Sequence, residues 1–158
     1  MTTPQINGPR LLTSLQALGQ IGALPGGGVN RLALSDADRA GRDWTVARMR
    51  ELGMHVAVDA IGNIVGTTHG AEDLPPVMMG SHIDTVRTGG LYDGNYGVLA
   101  GLEVIATLRE AGLQPRRPLA VAVFTNEEGA RFHHVAVERQ THIAAIRDVG
   151  DACRDERQ

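Results

Sequence analysis

Hydrophobic residues recur along this chain with two different periods, and the switches between those periods lay out its elements. Residues 10–19 carry leucines at helical spacing, which predicts a short amphipathic helix ending at Gly19. A glycine- and proline-rich loop follows at 22–28. Ser35-Asp36-Ala37-Asp38 then matches a capping box, in which the serine hydroxyl and the later carboxylate satisfy free backbone N–H groups. The helix it opens is expected over about 36–52, burying Ala37, Ala40, Trp44 and Ala47 and stopping at Gly53.

The period then drops to two. Residues 54–59 alternate like a strand with one buried face, and 63–67 look like its hairpin partner across a turn at 60–62. A short apolar strand at 76–80 enters Ser81-His82. A glycine-rich loop spans 88–97, and helical spacing returns over about 95–111. Val98, Leu102, Ile105 and Leu108 share one face there, closed by Gly112 and Pro115. Residues 119–124 are apolar throughout, as in a central parallel strand covered on both faces. Strand, loop, helix and strand from 76 to 124 make a right-handed crossover unit. Its two strands would end at one edge of the sheet, which brings His82 and Glu127-Glu128 together with the Asp93 loop above them. The expected fold class is α/β, a mixed sheet flanked by helices.

Composition narrows the function classes. The 158 residues, 42% hydrophobic and 21% charged, describe an ordinary globular chain of one domain. A net charge of -3 gives no reason to expect nucleic acid or an anionic membrane as partner. No apolar run approaches the ~20 residues that span a bilayer. The N-terminus lacks the features of a signal peptide, so a cytoplasmic location is expected. Cys153 is the sole cysteine, which excludes an internal disulfide and a thiolate zinc cluster. All 15 basic residues are arginine, so the lysine of a P-loop or of a Schiff-base enzyme is missing.

The candidate chemistry lies in His82-x-Asp84, Asp93-Gly94 and Glu127-Glu128. Imidazole and carboxylate oxygens are the usual donors for Zn²⁺, Co²⁺ or Mn²⁺. Asp84, two residues beyond His82 in a strand-like run, points to the same side and suits the acceptor of the histidine's other ring N–H. A carboxylate such as Asp93 can bridge two cations ~3.5–4 Å apart. One member of the glutamate pair can bind metal while its neighbour takes a proton from a metal-held water. A lone His-x-Asp reads as a capping histidine beside a surface acid; the ordered set after predicted strands does not. Gly89, Gly90, Gly94, Gly97 and Gly101 form no dinucleotide fingerprint and surround an aspartate that repels phosphate. Ser81, His82 and Asp84 are no triad, since adjacent strand residues face opposite ways. His55 and His69 read as a strand-face and a loop histidine, and Trp44 as core.

Three stretches carry a more specific likeness: Met79-Gly-Ser-His-Ile-Asp-Thr-Val, Gly89-Gly-Leu-Tyr-Asp-Gly-Asn-Tyr-Gly-Val-Leu-Ala-Gly-Leu-Glu103, and Phe124-Thr-Asn-Glu-Glu-Gly-Ala-Arg-Phe132. With Gly27-Gly-Val-Asn-Arg31 and Asp59-Ala-Ile-Gly-Asn63, they closely resemble the zinc-dependent hydantoinase/carbamoylase family. That family holds allantoate amidohydrolases, N-carbamoyl-L-amino-acid hydrolases and β-ureidopropionases, within the aminoacylase/carboxypeptidase group of dinuclear metallopeptidases. The resemblance runs from about Arg10 to Phe132. It implies two divalent metal ions, zinc foremost, with His82 on one, Glu128 on the other and Asp93 bridging them. It makes Glu127 the general base and Asp84 the residue that orients His82. The implied reaction is hydrolysis of a linear C–N bond in a small ureido or carbamoyl substrate. The implied architecture is an α/β catalytic domain interrupted by a lid domain that also forms a homodimer.

Members of the family continue past the glutamate pair and supply further histidine ligands and the lid from downstream. Residues 1–132 are therefore expected to be the N-terminal part of a catalytic domain, with the lid and dimerisation domain absent. From the change of texture at 133 and the exclusive use of arginine, 133–158 is expected to be a divergent tail, from a shifted frame or a truncated gene. His133, His134 and His142 are expected to be stray histidines and Cys153 a free thiol. Weak metal binding, little activity for this chain alone, and a sheet-edge position for the 119–124 strand are the further expectations. The runner-up reactions are peptide or acyl-amino-acid cleavage, or none at all in a non-catalytic remnant.

Overall fold

The computed structural model describes residues 3–132, so the expectations for His133, His134, His142 and Cys153 lie outside the described residues. Helix α1 covers Gly8–Gly19. Asn7 caps it, its side-chain oxygen accepting from the Arg10 N–H at 3.0 Å, and Leu11, Leu15 and Leu18 form its buried stripe. Helix α2 covers Asp36–Glu51. Ser35 Oγ accepts from the Asp38 N–H at 3.2 Å, as a capping box requires. The return bond differs: Asp38 Oδ2 takes the N–H of Leu34, one residue before the cap, at 2.8 Å.

The buried face of α2 is not the expected one. Asp38, Gly41, Thr45 and Met49 face inward, Ala40 and Ala47 are exposed, and Ala37 and Trp44 are half-buried. The helix has little aliphatic surface, so close approach decides its face rather than hydrophobic size. A Cβ at Gly41 would lie 2.8 Å from the Cδ of Arg31, a fully buried arginine. Only glycine lets the helix settle there, and Trp44 is left at the rim with the Arg48 guanidinium 5.7 Å above its ring.

Strands β1 (His55–Val58) and β2 (Ile64–Thr67) form the expected hairpin. Its turn is tied by Asp59 Oδ1, which accepts from the N–H groups of Ile61, Gly62 and Asn63. The expected alternation of β1 stops short: Val56 packs on the core, but Val58 is 60% exposed. Strand β3 (Val77–His82) runs two residues further than expected, helix α3 spans Asn95–Glu110, and β4 covers Leu119–Phe124.

The sheet order is β1-β2-β4-β3, with β3 parallel to β4 and the other pairs antiparallel. The β4 strand is thus internal, which corrects the expectation that it lies at an edge. The β1–β2 hairpin occupies its second side, and Ala120 to Val123 are buried on both faces. All three helices join Ile64, Val121 and Val123 in one large core cluster. Val65, Ala120 and Ala122 make a smaller cluster from the alternate positions. Burying side chains such as Leu15 or Ile105 stabilises the fold by about 1.5–3 kcal/mol each. No helix among the described residues is long and apolar enough to cross a membrane.

Candidate metal centre

Register builds the site. The parallel pairing of β3 with β4 sets His82 opposite Phe124, so the segments leaving both strands emerge side by side. Asp84 lies just past the end of β3 and is buried. Its two carboxylate oxygens accept long hydrogen bonds, 3.4 Å each, from the main-chain N–H groups of Glu127 and Glu128. One aspartate therefore ties the glutamate pair to the histidine strand. Asn126 makes the turn possible by adopting a left-handed φ of 57°, a conformation asparagine tolerates better than most residues. Thr125 anchors the same turn to the hairpin, its N–H donating to Asn63 Oδ1 at 2.9 Å.

The His82 ring is buried, and its Nδ1 sits 2.9 Å from the main-chain oxygen of Asp84. That contact makes Nδ1 the N–H donor and leaves the Nε2 lone pair for a ligand. The Asp84 carboxylate is further from Nδ1, at 3.9 Å, so the direct orienting bond runs through the backbone. The Asp93 loop lies on the imidazole. Gly94 has a φ of 65°, and a Cβ there would sit 2.5 Å from both His82 Cε1 and the His82 main-chain oxygen. Glycine is needed at 94 on both counts.

Ligand atoms of His82, Asp93 and Glu128 come within 4.8 Å of one another. The group spans buried, exposed and half-buried positions, so it is rooted in the fold and open on one side. Glu127 is 47% exposed at its side chain, with Oε2 3.3 Å from His82 Nε2. Burial pushes the carboxyl of Asp84 above its ordinary range, against the pull of His82 and the two N–H donors. Glu128 is also raised, chiefly by burial, with Asp93, Glu127 and Asp84 adding repulsion and His82 opposing it. A nitrogen donor and hard oxygen donors under mutual repulsion fit a divalent cation. His55 in β1 and His69 in the loop after β2 are exposed and do not join the group.

Arg31 is the residue that sequence reasoning passed over as chemistry. An arginine in a loop reads as solvent-facing, and its one signal was its place at the end of the Gly27-to-Arg31 motif. Here it is fully buried, its pKa pulled down to about 10 by desolvation against the attraction of Asp38 and Asp84.

Residues 63–147 match the model of peptidase family M28, a stretch that holds the histidine, the aspartates and both glutamates. The chain belongs to peptidase family M28. Among its relatives, the N-carbamoyl-L-amino acid amidohydrolase of Geobacillus stearothermophilus is 40% identical over 151 residues. That alignment takes in 95% of this chain and 37% of the relative. The ureidoglycolate hydrolase of Arabidopsis thaliana is 38% identical over 128 residues, covering 80% of this chain and 27% of its own length. A hydantoinase/carbamoylase family amidase from Burkholderia ambifaria superposes with a TM-score of 0.84 at 49% identity, over 87% of this chain and 34% of that one. The hydantoinase/carbamoylase likeness read from the motifs holds, and the chain spans about a third of the length of these relatives.

Proposed function

We propose that this chain carries part of the site of a divalent-metal amidohydrolase that cleaves a linear C–N bond in a small ureido or carbamoyl compound. The observation that carries the reading is the convergence of His82, Asp93 and Glu128 donor atoms at the carboxyl ends of two parallel strands. The names of the relatives, N-carbamoyl-amino-acid and ureidoglycolate hydrolases, support the bond class. His82 Nε2, Asp93 and Glu128 would hold the metal, zinc foremost, and exposed Asp93 is the residue suited to bridge two ions. A bound divalent ion supplies Lewis acidity and lowers the pKa of a water at neutral pH.

The chain's own residues supply the rest. Asp84 holds the two glutamates in register through their N–H groups, and its main chain fixes the tautomer of His82. Glu127, the more exposed glutamate, has its Oε2 3.3 Å from His82 Nε2, beside the position a metal-held water would take, and is the carboxylate suited to accept that water's proton. With three protein donors and an open face, residues 1–158 by themselves should bind metal weakly and turn over slowly. A second reading, cleavage of a peptide or acyl-amino-acid amide, is favoured by the peptidase family match.

Metal content of the purified chain after zinc or manganese loading tests the first half of the proposal. Hydrolysis of carbamoyl amino acids, ureidoglycolate and dipeptides tests the second. Metal held by the wild type and lost in His82→Ala, with any turnover confined to carbamoyl or ureido compounds, is the expected result. A chain that retains no metal, or that cleaves only dipeptides, would sink the carbamoyl reading.

A further inference from the structure

The buried guanidinium of Arg31 bonds to segments on both sides of the candidate ligand group. Nε donates to the main-chain oxygen of Ile83 at 2.7 Å, between His82 and Asp84. Nη2 donates to Asn95 Oδ1 at 2.8 Å, at the first residue of α3 and two beyond Asp93. Nη1 donates to the oxygens of Leu18 and Ile21, at 2.9 and 2.8 Å, where α1 ends. The backbone is locked as well: Arg31 N–H donates to Thr85 Oγ1 and Thr85 N–H to the Arg31 oxygen, both at 2.8 Å.

Asn95 carries the constraint into the loop. Its Nδ2 donates to the Leu91 oxygen at 3.0 Å, and its main-chain N–H to the Asp93 oxygen at 2.6 Å, so the turn around Asp93 closes on this one residue, with the side chain supplying the bond to Leu91. A planar guanidinium fixes the angle between its Nε and Nη2 donors, which a lysine ammonium cannot do. Burying a charge is costly unless its donors are bonded, and four of the five guanidinium N–H groups are, to three segments, which is more than one helix end needs.

We propose that Arg31 is a positioning residue for the metal centre, setting the distance between the His82–Asp84 segment and the Asp93 loop through Ile83 and Asn95. This rests on the metal reading above, but the geometry can be followed without metal. The Gly94 α-hydrogen lies against the His82 ring edge, so a nuclear Overhauser contact between His82 Hε1 and Gly94 Hα reports the strand-to-loop spacing.

The test compares wild type, Arg31→Lys, Asn95→Ala and Asn95→Asp in the 158-residue chain. It reads zinc-ion affinity by competition with a chromogenic chelator, helix content by circular dichroism, and the Overhauser contact in the metal-free state. Asn95→Ala and Arg31→Lys should keep wild-type helix content, lose about 10–100-fold in zinc affinity, and weaken the contact. Asn95→Asp keeps the acceptor for Arg31 but loses the Nδ2 donor to the Leu91 oxygen, so it should recover zinc affinity only in part and leave the contact weakened. A folded Asn95→Ala with wild-type affinity and contact would overturn the proposal. Unfolding of both Asn95→Ala and Arg31→Lys would also overturn it, in favour of a purely structural arginine. If the wild type binds no zinc, the metal reading fails, and the metal-free contact alone decides: its loss in Asn95→Ala supports positioning and its retention refutes it.

Discussion

Two carboxylate clusters on this small fold show opposite electrostatics. Between α1 and α3, Glu103 is buried and matched: Arg10 Nε reaches its Oε2 at 2.7 Å, Thr107 Oγ1 and the Asn7 N–H add bonds, and Arg10 also pairs with Glu110. Those partners, Arg10 first, hold the Glu103 carboxyl below its ordinary range. At the carboxyl ends of β3 and β4, burial and mutual repulsion raise Asp84 and Glu128. No arginine pairs with Asp93, Glu127 or Glu128 among the described residues. The first cluster is complete within the fold. The second gathers donors that repel one another, the pattern expected of a ligand site rather than of a structural ion pair.

Substitutions should separate the two clusters. The largest effect is expected for Asp93→Asn, which should lower zinc affinity about 100-fold or more while leaving the urea midpoint of the metal-free chain near wild type, because the Asp93 side chain is exposed. An unchanged affinity would merge the two clusters into one structural class. Glu103→Gln should do the reverse, costing about 2 kcal/mol of stability in urea unfolding with zinc affinity unaltered.

Acidity gives a smaller separation. A carboxyl depressed in the folded state stabilises above its unfolded pKa, and that contribution disappears as pH falls through the folded value. From pH 7 to below about 4, wild type should therefore lose more stability than Glu103→Gln. Parallel losses in the two proteins would contradict the pairing described for Glu103. The smallest effect is expected for Glu127→Gln. An exposed charge contributes about 0–1 kcal/mol, so zinc affinity measured by titration should move by no more than about fivefold.

Much of this arrangement was legible from one-dimensional pattern. The apolar run at 119–124, the hairpin at 54–67 and the helix after the glycine loop follow from local periodicity, and the crossover rule placed His82 beside Glu127-Glu128. What escaped was decided by tertiary partners. The inner face of α2 was set by the room that buried Arg31 leaves at Gly41, which no helical period encodes. The internal position of β4 depended on where the β1–β2 hairpin docked. At the site, residue types marked the candidate ligands, but that Asp84 uses its backbone for His82 and its side chain for the glutamates required coordinates.

The imidazole and mutually repelling carboxylates gathered at the β3–β4 edge are expected to take up a divalent cation. The most direct measurement is the thermal midpoint of the metal-free chain across a zinc titration, run beside Asp93→Asn. A ligand that binds only the folded state raises that midpoint by mass action. Wild type and Glu103→Gln should both rise with zinc, and Asp93→Asn should stay flat over the same concentrations. A flat wild type, or an equal rise in Asp93→Asn, would contradict the account.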